Sequence, residues 1–218
     1  MTKFVVEHSK PVLISVRGSK NQFPVNMVYC VGRNYAAHAR EMGIDELQPP
    51  VFFSKPGWTV TPASNNIPYP TSTLDLQHEV ELVLAMGPEQ NIYGFAVGVD
   101  LTRRDLQTQA KKEGKPWFSA KVFAGAAPIS KIIQADNNFD FSNFSLKLTV
   151  NGEVRQSGSC RDMIWAPREI VRNLASEVQV KSGDLIFTGT PTGVSTIKKE
   201  DKIHAEINGV VGLDFTII

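Results

Sequence analysis

His78-Glu79-Val80-Glu81-Leu82-Val83-Leu84-Ala85-Met86 is the stretch whose reading decides the fold. Side chains on a β-strand alternate between two faces, so His78, Val80, Leu82, Leu84 and Met86 point one way while Glu79, Glu81, Val83 and Ala85 point the other. The first set is a core face. The second begins with two carboxylates about 6.5 to 7 Å apart at the backbone, near enough to converge on one cation and to repel each other without one. For a bare Glu-x-Glu a solvated sheet face is the more ordinary explanation, because exposed glutamates are common.

The segment that follows bears on that choice. Tyr93 to Val99 is a second β-like run, carrying Gly94 and Gly98 and leaving at Asp100. If the two runs pair, Asp100 joins the glutamates in an all-oxygen set that suits Mg²⁺ or Mn²⁺ and leaves coordination positions open for a bidentate ligand. Past Asp100, Thr102 is placed to cap a helix from Arg103 to about Lys112. On it Arg104 and Gln107 share a face, where they can bind a carboxylate or simply face water.

Upstream, Val12 to Val16 and Asn26 to Val31 read as short strands separated by the turn-rich Gly18 to Pro24. Asn34 is placed to cap a helix running to about Met42, on which His38 and Glu41 are neighbours. An imidazole oriented by a carboxylate is what a water-activating base requires, although such pairs also merely support surface helices. Gln48 to Pro70 carries six prolines among short apolar runs, the pattern of extended segments stitched by turns.

Downstream, Lys121 lies in the apolar Phe118-Ser119-Ala120-Lys121-Val122-Phe123-Ala124-Gly125, where a cation must snorkel outward or meet an anion. Ala120 to Ala127 and Ile129 to Ile133 read as β-like. Asn151-Gly152 marks a hairpin over Leu146 to Gln156. Pro167 to about Val178 has helical spacing of Ile170, Val171, Leu174 and Val178, with Pro167 at the first position. Asp184 to Phe187, Lys202 to Ile207 and Val210 to Ile217 complete the strands, the last two joined at Asn208-Gly209. The turn Thr188-Gly189-Thr190-Pro191-Thr192-Gly193 can offer N–H groups and a hydroxyl to an anion, or only end a strand.

Many short strands and about three helices predict a β-rich mixed α+β fold in which a rolled or barrel-like sheet carries its site at strand ends. Strands and helices do not alternate regularly and no GxGxxG or GxxxxGK[ST] loop is present, which argues against a doubly wound sheet. The 218 residues fit one domain, residues 1–218, with 1–24 as an N-terminal strand region. A net charge of +1, from 23 basic and 22 acidic side chains spread along the chain, excludes the basic stripe of a nucleic-acid binder. No run has membrane-spanning length and none reads as a signal peptide. Cys30 and Cys160 lack ligand spacing and fit a reduced, cytoplasmic setting.

Taken in order, Val31-Gly32-Arg33-Asn34-Tyr35 with His38 and Glu41, Phe53-x-Lys55-Pro56, His78-Glu79-x-Glu81-Leu82, Asp100-x-Thr102-x-Arg104-Asp105-x-Gln107, the Lys121 segment and Thr188-Gly189-Thr190-Pro191 resemble the fumarylacetoacetate hydrolase family. The resemblance runs from about residue 25 to the C-terminus, and within the family it is nearest to the short acylpyruvase and oxaloacetate decarboxylase branch. It implies a rolled β-rich fold, a homodimer, and Mg²⁺ or Mn²⁺ held by Glu79, Glu81 and Asp100. It also implies a mobile lid bearing His38 and Glu41 as the catalytic base pair, with Lys121 steadying an oxyanion. Arg33, Arg104, Gln107, Gly189 and Thr190 would surround a small β-keto or acylpyruvate acid. The implied chemistry is C–C cleavage, by acylpyruvate hydrolysis or oxaloacetate decarboxylation, through a pyruvate enolate whose charge the dication absorbs. Keto–enol tautomerisation of oxaloacetate and silent ligand binding are the alternatives. Ala124 departs from the family, many members of which carry aspartate there, and this bears on substrate class.

Overall fold

The pairing of residues 80–86 with residues 92–99 organises the chain. The computed structural model describes residues 5–7, 9–35, 49–62, 66–136 and 138–218. The helix expected from Asn34 to Met42, with His38 and Glu41, lies outside them. Strands are numbered here in chain order. The largest sheet is eight-stranded, in the order β4 (Phe52–Pro56), β3 (Met27–Val31), β14 (Leu185–Phe187), β7 (Val80–Met86), β8 (Ile92–Val99), β10 (Ala127–Ile129), β5 (Val60–Pro62), with β11 (Ile133–Gln134) also on β8. Its first and last members in that order, β4 and β5, are joined by the single turn Gly57–Thr59. Two far sides of one sheet can be consecutive in sequence only if the sheet curls round on itself, and this closure makes the expected roll.

A four-stranded sheet, β13 (Glu153–Ser159), β12 (Ser145–Val150), β16 (Lys202–Ile207), β17 (Val211–Thr216), packs on the outside of the roll. Its two tight turns are the Asn-Gly pairs, with Asn151 at φ 53° and Gly152 at φ 85°, and Asn208 at φ 43° and Gly209 at φ 70°. Positive φ at both central residues matches the right-handed twist of the flanking strands. Smaller pieces are the β1 (Leu13–Ser15) and β2 (Gln22–Pro24) hairpin and the trio β15 (Thr196–Ile197), β6 (Leu76–Gln77), β9 (Thr102–Arg103).

The alternation along residues 80–86 separates two cores. Val80, Leu82, Leu84 and Met86 pack outward against Leu146, Leu148, Ile203, Ala205 and the helix residues Ile170 and Leu174. Val83 and Ala85 pack inside the roll with Val28, Cys30, Ala96 and Phe187. Burial of each leucine or isoleucine contributes about 1.5–3 kcal/mol. Gly98 is dictated by that inner core, since a Cβ there would lie 2.7 Å from the Phe187 ring and 2.8 Å from Val83.

Helices α1 (Arg104–Lys112), α2 (Phe118–Lys121) and α3 (Pro167–Glu177) correct parts of the sequence reading. Thr102 does not cap α1, because it lies in β9 opposite Gln77 and its hydroxyl is bound elsewhere. The first part of Ala120 to Ala127 is helical, and only Ala127 continues into a strand. In α3 the Glu169 carboxylate accepts the Ala166 N–H at 2.9 Å, while Val178 falls just past the last turn and is exposed. Among the described residues no helix is long and apolar enough to cross a membrane.

Candidate metal centre

Antiparallel register brings the three carboxylates together. Val80 faces Val99 and Glu81 faces Gly98, and the Asp100 N–H donates to the Glu79 carbonyl at 2.8 Å. Glu79 and Asp100 are therefore cross-strand neighbours on the face that Glu81 also occupies. One carboxylate oxygen from each lies within 4.8 Å of the others, and all three residues are buried.

Buried carboxylates need countercharge, and lysines meet two of them. Lys121 Nζ donates to Glu79 Oε2 at 2.8 Å, Asp100 Oδ2 at 2.7 Å and Thr102 Oγ1 at 2.6 Å, so it meets anions instead of snorkelling. The helical turn of α2 is what aims it inward. Lys55 is fully buried; its Nζ lies 2.7 Å from Asp100 Oδ1 and donates to the Ala126 carbonyl at 2.8 Å. Arg104 grips the other Glu79 oxygen while its Nε donates to Gln77 Oε1 at 2.7 Å and its Nη1 to Gln107. Burial alone would raise the Glu79 pKa, but Lys121 and Arg104 outweigh it and hold the carboxyl below the usual range. Lys121 is the mirror case: burial would discharge it, and Asp100 with Glu79 keep it charged.

Glu81 is different. Its carboxylate accepts the Gly189 N–H at 2.6 Å, and among the described residues no cation pairs with it. Burial, then the charges of Asp100 and Glu79, push its pKa well above the carboxylate norm. Asp100 Oδ1, despite its ion pair, accepts no well-aligned hydrogen bond. Three convergent hard oxygen donors, one lacking countercharge and one with unused acceptor capacity, fit an Mg²⁺- or Mn²⁺-type ion.

The Thr188–Pro191 turn extends β14 beside the start of β7. Gly189 has φ +96°, and a Cβ on it would come within 2.7 Å of Asn34 Cβ, so glycine lets the backbone N–H reach Glu81. The Thr190 hydroxyl donates to the Val80 carbonyl and accepts from Gln156 Nε2, both at 2.8 Å. Gln156 in turn orders His78. Because Gln156 Nε2 also donates to the Pro191 carbonyl, its Oε1 is the acceptor for Val80 N–H and for His78 Nδ1–H. His78 Nε2 then accepts from the Ser195 hydroxyl at 2.9 Å, and burial lowers its pKa, leaving the ring neutral.

The cleft above this centre is walled by Arg33, Asn34, Phe53, Arg104, Gln107, Lys111, Trp117, Lys121 and Thr190, with Glu79 and Glu81 at its base. Its interior is about 20 Å³, room for one water or ion. Of the residues expected to form a site, Glu79, Glu81, Asp100, Lys121, Arg104, Gln107, Gly189, Thr190 and Arg33 all converge here. His38 and Glu41 lie outside the described residues. Ala124 is exposed and off the cleft walls. Lys55, Gln156 and Lys111 were not foreseen as site residues. A signal existed for Lys55, which alternates with Phe53 on a strand facing Val28 and Cys30.

Residues 27–218 match the fumarylacetoacetate hydrolase C-terminal family model. The mitochondrial oxaloacetate tautomerase of Homo sapiens is 38% identical over 200 residues, covering 87% of this chain and 90% of its own length. The oxaloacetate tautomerase of Escherichia coli K12 is 35% identical, with 88% and 93% covered. Among solved structures, fumarylpyruvate hydrolase of Pseudomonas aeruginosa in complex with Mn²⁺ and pyruvate superposes with a TM-score of 0.93 at 38% identity, covering 99% of both chains. With the family model spanning most of its length and relatives of this similarity along nearly all of it, the chain belongs to the fumarylacetoacetate hydrolase family.

Proposed function

We propose that this protein acts on a small 2-oxo acid with a second carbonyl or carboxyl group β to the first, promoting enolisation at a divalent-cation centre made by Glu79, Glu81 and Asp100. The observation that carries the reading is the buried carboxylate trio, in which Glu81 pairs with no cation among the described residues. An Mg²⁺ or Mn²⁺ ion held there would supply Lewis acidity to a chelating keto acid. Lys121, already charged and aimed at the same point, stabilises negative charge developing on the enolate oxygen. Arg104 and Gln107 orient the substrate carboxylate, and Gly189 fixes Glu81. Thr190 has its hydroxyl proton engaged by Val80, so it meets substrate as an acceptor or through contact.

Keto–enol tautomerisation of oxaloacetate needs only proton movement at this site, and the names of the curated relatives favour it. The C–C cleavage expected from the sequence is the second reading, favoured by the fumarylpyruvate hydrolase neighbour. For acylpyruvates, His38 assisted by Glu41 would take a proton from water for attack on the distal carbonyl, a contribution of about 10²- to 10⁴-fold. We take residues 1–218 as one catalytic unit working as a homodimer, testable by sedimentation velocity. The cytoplasmic setting stays an expectation, since the human relative is by name mitochondrial.

The deciding experiment offers oxaloacetate, acetylpyruvate and longer acylpyruvates with Mg²⁺ or Mn²⁺, and follows enol–keto interconversion separately from pyruvate release. Glu81→Gln should lose both metal binding and turnover, whereas Glu41→Gln should keep metal binding and lose hydrolysis selectively. Undiminished turnover in Glu81→Gln would sink the assignment.

A further inference from the structure

The countercharge around the carboxylate trio is balanced by Lys55, Lys121 and Arg104, yet the cleft carries two more cations. Lys111 follows Arg104 and Gln107 at helical spacing on the same face of α1, about 10 Å along the axis from Arg104. It stands exposed at the rim with its ammonium 5.3 Å from the centre of the Trp117 ring. Arg33, from the segment after β3, lines the cleft as well. Its Nε is buried and has no hydrogen-bond partner. Among the described residues no carboxylate pairs with Lys111 or Arg33. Among the described residues, a dication added here would leave the cleft strongly positive, more so than one substrate carboxylate offsets. An orphaned guanidinium N–H and a lysine held over an aromatic face are what a second, outer anion would engage.

We propose that Lys111, in the same cleft as Arg33, forms an outer carboxylate subsite that makes this protein selective for dicarboxylic keto acids over keto acids ending in an alkyl group. The proposal rests on the chelating centre described above and adds which end of the substrate is read at the rim. Desolvation of Lys111, followed by the like charges of Arg104 and Arg33, lowers its pKa, which agrees with a cation awaiting an anion. The subsite contacts the substrate end remote from the reacting carbons, so it sets affinity and selectivity without taking part in bond changes.

The test compares oxamate with N-oxalylglycine, which adds one remote carboxylate to the same chelating unit. Binding to the Mn²⁺-loaded protein is measured by calorimetry. N-oxalylglycine should bind the wild type at least about tenfold tighter than oxamate. Lys111→Met should erase that advantage while leaving oxamate affinity unchanged, and Lys111→Arg should retain it. Equal affinity of the two ligands for the wild type overturns the subsite, as does equal weakening of both in the variants. In either case oxamate binding that depends on Mn²⁺ keeps the chelating centre standing. If neither ligand binds and Mn²⁺ itself gives no heat, both fail.

Discussion

Lys55 is fully buried, with its ammonium against Asp100 and two backbone carbonyls. Removing one member of a buried ion pair costs about 3–5 kcal/mol when the other is left without a partner, whereas Asp100 would here keep its contact with Lys121. Lys55→Met should therefore lower metal-free stability in urea unfolding, by less than that amount. Saturating Mn²⁺ should recover part of the loss by giving Asp100 another countercharge; a metal-free variant as stable as wild type would contradict the pairing of Lys55 with Asp100. The three acidic residues were legible because strand alternation puts Glu79 and Glu81 on one face and a local hairpin-like pairing delivers Asp100. Lys55 and Gln156 were not, since their burial depends on strands far away in sequence: Ala126 meets Lys55 and residues 78–80 meet Gln156.

At the scale of elements, the start of α1 shows how a local rule yields to a long-range one. Thr102 has a good capping side chain, but pairing with Gln77 extends its backbone and Lys121 takes its hydroxyl. Asp105 ties the first turn down instead. Its carboxylate accepts the Thr73 hydroxyl at 2.5 Å and the Leu74 and Leu106 N–H groups, each at 2.9 Å. Partial burial opposes ionisation, yet these hydrogen bonds prevail and hold its pKa below the ordinary 3.8. A carboxylate with a depressed folded pKa stabilises the fold above its unfolded value and loses that contribution as pH falls through the folded one. The stability gap between wild type and Asp105→Asn should accordingly be constant above about pH 5 and shrink on further acidification. A gap that widens in acid would contradict the assignment. The hairpins and α3 followed the sequence closely, since Asn-Gly turns and an N-terminal proline act within a few residues.

For the molecule as a whole, the candidate centre joins the entry to β7, the exit of β8, the turn after β14 and helix α2. A ligand that binds only the folded form adds stability by mass action. Mn²⁺ at a hundredfold excess over its Kd should add about 2.7 kcal/mol, and a chelator should remove it. In Glu81→Gln that increment should vanish, while the metal-free variant should be as stable as wild type or more so, because a buried carboxylate without countercharge has been replaced. An undiminished Mn²⁺ effect in the variant would place the ion elsewhere. The rolled sheet was foreseen in kind from the density of short strands. Its closure through Gly57–Thr59 was not legible, because nothing local tells β4 and β5 that they will border opposite sides of one sheet.

β14 sits between β3 and β7, inserting a late segment of the chain into the middle of the sheet. During synthesis, residues 80–99 can form their hairpin early, but the other flank of that hairpin stays bare until residues 185–187 have left the ribosome. Gly189, which holds Glu81, arrives later still. For most of translation the nascent polypeptide therefore carries an open apolar strand edge beside an acidic cluster that lacks its backbone clasp, and it is in that interval that this protein has most need of a chaperone.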